Sequence, residues 1–195
     1  MAVALSMALT STIAALGRGY INRVEGEAAA SLNDLIAKTV GMRNHVVIVG
    51  FGQVGMAVTR HLVSLRMPVL ALDYDPRRVR TSQGRGLPVY FGNAARPDVL
   101  RAAHVGQARV LIVALPTASS VERVVTLARS LYPDLRLLAR GTDKASAERL
   151  REVGATAVVI DGLSTAFDLA ERAIILYQPE EGEAEAEAVS EPSGS

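Results

Sequence analysis

The stretch Gly50-Phe51-Gly52-Gln53-Val54-Gly55 places three glycines at G-x-G-x-x-G spacing, directly after a run of β-compatible residues, 45 to 49. That spacing suits a nucleotide phosphate. The first glycine allows a tight turn out of a strand, the second lets backbone approach a pyrophosphate, and the third lets a helix pack close to the strand. Phosphate groups then sit at the positive end of a helix expected to start near Gln53. Asp73 ends the next apolar run, at the distance of about 20 residues where an acidic side chain meets the ribose. Its carboxylate can accept from both hydroxyls of an adenosine ribose and repels a 2′-phosphate. NAD(H), AMP or ATP is therefore expected rather than NADP(H). The bland alternative is a tight turn beside an incidental capping Asp, and the strand before and helix after weigh against it.

The neighbouring residues extend this reading. Asp75-Pro76 is first of all an N-cap with proline at the first helical position, although Asp75 could also face the ribose. Arg77 and Arg78 fall in that first turn, where a solvated face is preferred over a reach to adenine or phosphate. In Gly92-Asn93-Ala94, Asn93 can bond an adenine edge and Ala94 leaves room for the ring, with an Asx-turn as an equal alternative. Ala114-Leu115-Pro116 ends the fourth run, where a nicotinamide ribose or a phosphate would pass. Arg140 ends the fifth and is open to a phosphate or anionic effector, or to Asp143 or Asp161. The expected nucleotide-binding set is Gly50, Phe51, Gly52, Gln53, Val54, Gly55, Asp73, Asn93, Ala94, Ala114 and Arg140.

No residue pair supplies a reaction. None of the five tyrosines has Lys four places on; Val24, Arg78, Ala94, Arg136 and Glu181 stand there, so the Tyr-x-x-x-Lys pair of short-chain dehydrogenases is missing. His61 and His104 fall in expected helices, away from the strand ends where a general acid or base would act. The three histidines, His45 included, lack partners at metal-ligand spacing, and no metal is assigned. The absence of Cys excludes disulfides, thiolate zinc sites and Cys nucleophiles. A complete cofactor site without a catalytic site points to a sensor and not an enzyme. A small Rossmann-type NAD-dependent oxidoreductase is the alternative. A non-binding dimerisation module is a third reading, and a pocket blocked by Phe51 or Leu115 would favour it.

The chain has 195 residues, 49% of them hydrophobic, enough for one domain with a core and little for a second. A net charge of +1 with no basic block gives nucleic-acid binding no electrostatic support. Six short apolar runs, 45 to 49, 68 to 72, 88 to 91, 109 to 115, 135 to 139 and 156 to 160, read as strands buried on both faces. Helix signals lie between them: Asp75-Pro76, a capping box of Ser119 with Glu122, and a helical segment 145 to 153 that stops at Gly154. The expected fold is α/β, a Rossmann-like doubly wound parallel six-stranded sheet in the order 3-2-1-4-5-6. It spans residues 44–177, after a linker helix or tether over 18–43 and before an acidic tail, 178–195, expected to be disordered. Residues 1–17 are apolar, short of the roughly 20 residues of a bilayer span. They suit a buried or interfacial helix, the end of a last transmembrane helix with Arg18 and Arg23 on its cytoplasmic flank, or, less well, a signal peptide.

VVIVGFGQVG, LALDYDP, VYFGNAARPDVLRAA and LLARGTD, in this order and spacing, resemble the regulator-of-potassium-conductance (RCK) domain, or Trk-type N-terminal nucleotide-binding domain. The version at the C-terminus of Kef-type monovalent cation:proton antiporters is the most similar. The opening ALSMALTSTIAALGRG also resembles the end of the last membrane helix of those antiporters. The resemblance implies a homodimer on the cytoplasmic face of the membrane. It implies a domain that binds NAD(H) or adenine nucleotide and gates potassium movement through a membrane cation transporter, upstream in the same polypeptide or separate. Carried over, the nucleotide contacts are Gly50, Gly52, Gln53, Val54, Asp73, Asn93 and Ala94. Three positions depart from the family pattern. Asn93 stands where Asp is frequent, Ile160-Asp161 replaces Pro-Glu, and Gly141-Thr142 replaces the second Arg of glutathione-gated members, so glutathione control is not expected.

Overall fold

The computed structural model describes residues 32–162 and 164–178; the expected apolar segment 1–17, the tether up to residue 31 and the tail from residue 179 lie outside the described residues. Helix α1 covers residues 32–39. Then follow β1 (Val46–Val49), α2 (Gln53–Ser64), β2 (Val69–Asp73), α3 (Pro76–Gln83), β3 (Val89–Phe91) and α4 (Pro97–Ala102). A 3-10 turn (Val105–Gln107) leads to β4 (Val110–Val113), α5 (Ala118–Leu131), β5 (Arg136–Gly141), α6 (Lys144–Glu152), β6 (Ala157–Ile160) and α7 (Thr165–Tyr177). Every strand pair is parallel and the order is β3-β2-β1-β4-β5-β6, the doubly wound sheet that the six apolar runs predict.

Two cores explain why the strand runs are apolar without alternation. Val47, Val49, Leu70, Leu72, Leu111 and Val113 face one layer, formed by α1, α4, α5 and α6. Val46, Ile48, Val69, Ala71, Val110 and Ile112 face the other, formed by α2, α3 and α7. A strand covered on both faces has no polar side, so the period-2 signal vanishes. Pro68 and Pro88 precede their strands and lack an N–H, yet their carbonyls accept from Val46 and Ala71 and open the ladders.

Helix α1 is docked onto this unit. Leu35 and Thr39 are fully buried. Thr39 Oγ1 lies 2.8 Å from both the Leu35 and the Ala102 carbonyl oxygens and shares its proton between them. The Lys38 ammonium sits 5.7 Å from the centroid of the Tyr90 ring on β3. Burying a leucine stabilises by about 1.5–3 kcal/mol, so this short helix has a definite seat.

Three local expectations are corrected. The capping box of Ser119 with Glu122 is absent: α5 begins at Ala118 with Thr117 as N-cap, and Thr117 Oγ1 bonds Ser120 Oγ at 2.8 Å instead of a backbone N–H. The helix expected over 145 to 153 is α6, which starts one residue earlier because Asp143 caps it. Asp143 Oδ1 accepts from Ser146 N at 2.7 Å, while Ser146 Oγ accepts from Asp143 N at 3.0 Å. Gly154 follows with φ +103°, the left-handed conformation that ends a helix. His104 is not in a helix; it makes a left-handed turn after α4, with φ +49°, a conformation in which His is enriched.

Candidate functional site

The crossovers on either side of β1 run to opposite layers, which leaves a crevice beyond the carboxyl ends of β1 and β4. Gly50 turns the chain at φ +93°; a Cβ there would stand 3.0 Å from Ala114 O, so the turn is wedged against the end of β4. Gly55 is tighter still, since its Cβ would fall 1.8 Å from Gly50 O. Gly52 differs from both. Its φ is −70°, open to any residue, and a Cβ there meets nothing within 4 Å. Gly52 is also the N-cap of α2, a helix with no side-chain cap and no acid in its first turn. The first N–H groups of α2 therefore have no side-chain cap, and the space at Gly52 is open.

Asp73 joins this turn to β2. Its carboxylate is almost completely buried, with its residue 4% exposed. Oδ2 accepts from Phe51 N at 2.6 Å and from Arg78 Nη1 at 2.9 Å, while Oδ1 accepts from Asp75 N at 2.8 Å. A carboxylate offers about four acceptor positions, so one remains, on Oδ1. Asp75 caps α3 by accepting from Arg77 N and Arg78 N, and those bonds hold its carboxyl below the usual range. Just past the neighbouring strand β3, Gly92 N donates to the Asp73 carbonyl, and Asn93 Oδ1 accepts from Ala95 N at 3.0 Å in an Asx-turn.

These elements enclose a cleft of about 230 Å³. Gly50, Asp73, Asn93 and Ala94 line it, together with Tyr74, Leu115, Pro116, Thr117, Ser120 and Arg123. Its size is below the usual range of small-molecule sites, about 300–1,000 Å³, so an occupant of nucleotide size protrudes into solvent.

The family model of the TrkA-N domain matches residues 46–161. The chain belongs to that family. Among curated relatives, the chloroplastic K(+) efflux antiporter 1 of Arabidopsis thaliana is 34% identical over 170 residues, covering 87% of this chain and 14% of the relative. The glutathione-regulated potassium-efflux system protein KefC of Cronobacter sakazakii is 34% identical over 156 residues, covering 79% of this chain and 24% of the relative. This TrkA-N domain thus corresponds to a minor share of those proteins. A solved structure, the Kef C-terminal domain of Shewanella denitrificans in AMP-bound form, superposes with a TM-score of 0.54 at 29% identity, over 73% of this chain and 86% of that one. The resemblance drawn from VVIVGFGQVG and LALDYDP holds.

Within the TrkA-N domain the residues singled out from the sequence divide into groups. Phe51 is fully buried in the core of the α2 side and presents only its N–H to Asp73, so its ring does not block the cleft. Gln53 and Val54 lie in the first turn of α2, and Ala114 is buried in the core with its N–H on Val49 O; none of the three lines the cleft. Arg140 is not in the cleft: it pairs with Asp161 at the end of β6, and that guanidinium lowers the Asp161 pKa. The side chain bordering Asp73 is Arg78, which the sequence reading assigned to a solvated face.

Tyr74, Thr117, Ser120 and Arg123 were missed. Thr117, Ser120 and Arg123 recur at a spacing of three along α5, a stripe that the false capping box at Ser119 put out of phase. Tyr74 carries the signal of an exposed aromatic, 70% accessible, beside a nucleotide-type acid. None of the three histidines lines the cleft: His45 is buried with Nε2 3.1 Å from Ala103 O, His61 packs on Phe167, and His104 sits in its turn. Among the described residues no cluster of three or more His, Asp or Glu is placed to hold a metal, and no helix is long and apolar enough to cross a membrane.

Proposed function

We propose that this TrkA-N domain senses cytoplasmic nucleotide for a potassium or monovalent cation:proton antiport system. An adenine nucleotide, AMP, ATP or NAD(H), binds in the cleft. Its phosphate meets the head of α2 above Gly52, its ribose meets Asp73, and its base lies between Tyr74, Asn93 and Ala94. The observation that carries the reading is the cleft lined by Gly50, Asp73, Asn93 and Ala94, in which Asp73 keeps one acceptor position while its carboxylate holds the N–H of Phe51, the residue before Gly52. The likeness to an AMP-bound Kef domain and to KefC supports it.

The titratable groups lining the cleft are Asp73, Tyr74 and Arg123, and Asp73 already accepts three hydrogen bonds. That set supports binding without turnover. On this reading the domain works at the cytoplasmic face, as a homodimer, on a membrane cation transporter in the same polypeptide or beside it. The sheet edge at β6, where the exposed Ile160 and Ile175 lie among Arg151, Asp168, Glu171 and Arg172, offers a mixed apolar and charged face for the second copy.

Calorimetric titration of the full chain with AMP, ATP and NADH tests the proposal, with light scattering for the dimer. Binding without NADH oxidation across a panel of carbonyl substrates is expected. No binding of any of the three nucleotides refutes the sensor, and steady NADH oxidation makes the protein a reductase.

A further inference from the structure

The charge balance around Asp73 differs from the one the motif suggests. A bare carboxylate at the end of β2 excludes a 2′-phosphate by repulsion. Here the carboxylate is not bare. Arg78 Nη1 lies 2.9 Å from Asp73 Oδ2, and Nη2 lies 3.4 Å from Asp75 Oδ2. Two carboxylates, Asp73 and Asp75, are matched by two guanidinium groups, Arg77 and Arg78, in the same loop and helix turn. The local sum of charge is zero. The Arg78 guanidinium has five N–H donors in a fixed fork, and two nitrogens engage the two acids. Its side chain is 40% exposed, so it still has donors to offer to solvent or to an anion. Asp73 keeps one acceptor position, enough for one ribose hydroxyl.

The geometry points to a site that accepts 2′-phosphorylated adenine nucleotides as well as unphosphorylated ones, with Arg78 as the group that receives the 2′-phosphate. This inference rests on the cleft being a nucleotide site. Arg78 neutralises the acid that would repel the phosphate, and its fork presents paired donors to phosphate oxygens. The guanidinium is already held in place by two carboxylates, so little side-chain freedom is lost when the phosphate arrives. The pair Asp73–Arg78 thus sets the tolerance of the site, where Asp73 alone would set its selectivity.

The test is a calorimetric comparison of 5′-AMP and adenosine 2′,5′-bisphosphate on the full chain, with NADH and NADPH as a second pair. Affinities within about tenfold of each other are expected in each pair; a charged hydrogen bond accounts for about 10- to 100-fold, enough to offset the residual repulsion by Asp73. Replacing Arg78 by Ala uncovers Asp73, and the ratio of the two affinities should then move at least tenfold against the 2′-phosphorylated member. Arg78→Gln, which keeps hydrogen bonding but not charge, should move it in the same direction, and it serves if the Ala variant does not fold. Binding of 5′-AMP with the bisphosphate more than tenfold weaker overturns the inference and leaves the nucleotide site standing. So does an unchanged ratio in both variants. Binding of neither compound overturns the inference together with the nucleotide site.

Discussion

Gly52 and Gly55 stand three residues apart in one motif, and the structure assigns them opposite sensitivities. A methyl group at position 52 enters open space at φ −70°, a conformation that alanine adopts freely. Alanine is a poorer N-cap than glycine by about 0.5–1 kcal/mol, while the loss of unfolded-chain freedom returns about 0.4–1 kcal/mol. Gly52→Ala should therefore leave stability within about 0.5 kcal/mol of the parent, the size of an ordinary surface change. A methyl at position 55 falls 1.8 Å from Gly50 O, where ordinary contact begins at 3.4 Å. The obstacle is backbone, so α2 must move off β1 and loosen Val58 and Leu62 in the core. Overpacking of this kind costs about 3 kcal/mol at the upper end of its usual range, and the better helix propensity of alanine returns about 1 kcal/mol. The net loss of about 2 kcal/mol lowers the melting temperature by roughly 4–8 °C for a chain of this size. Binding should show the reverse order. Gly52→Ala fills the space that the proposed function gives to the phosphate and should weaken AMP at least about tenfold, or 1.4 kcal/mol. Thermal melting and calorimetric titration of both variants decide the matter. An unchanged AMP affinity in Gly52→Ala, or a Gly55→Ala variant as stable as the parent, would refute the reasoning.

Three further outcomes are expected. His45 is buried and its pKa is lowered below 6.5, chiefly by desolvation and in small part by His104; its contribution to stability is present above pH 6.5 and is lost as pH falls below it. Melting curves from pH 7.5 to 5.5 should show that decline, and a His45→Gln variant should flatten it. Tyr74→Ala should weaken AMP by about 1–3 kcal/mol if the ring stacks on the base, with no change in melting temperature; equal affinities would remove Tyr74 from the site. Thr39→Val deletes the hydroxyl shared by Leu35 O and Ala102 O and should cost about 1 kcal/mol, with faster amide exchange confined to α1 and its contact on α4 as the readout.

The sheet was legible because its punctuation is strong. Each apolar run is short, lacks polar alternation and is bounded by Gly, Pro or Asp, which leaves few other readings. The end of α6 was legible for the same reason, since Gly154 is a residue type that the left-handed turn selects. Its start was not, because a reciprocal cap of Asp143 with Ser146 lacks the Glu or Gln by which such boxes are recognised. Ser119 and Glu122 fit the capping-box pattern but are the second and fifth residues of α5, both inside the helix, so pattern and phase disagreed. Gly50 and Gly55 carry their geometry in their residue type, since no side chain fits at either, whereas the backbone at Gly52 is open to any residue. Arg78 carries no such signal: its bond to Asp73 joins a strand end to a helix face five residues on, a separation that neither helical nor strand periodicity marks. Arg140 had three acceptable partners, and only the parallel pairing of β5 with β6 brings Asp161 to it.

The docking of α1 has a thermodynamic consequence. Its contact, Thr39 on the Ala102 carbonyl, is at the C-terminal end of α4, while the loop that enters α4, Asn93 to Ala95, lines the cleft. One short helix thus shares a border with both. If a load on α1 alters how that loop meets a nucleotide, the nucleotide must alter the load that α1 bears by the same free energy, since coupling between two sites is reciprocal. On the proposed function, an affinity measured with α1 unloaded is then a reference point, and the difference from the value in the proposed transporter assembly measures the work that the nucleotide can deliver.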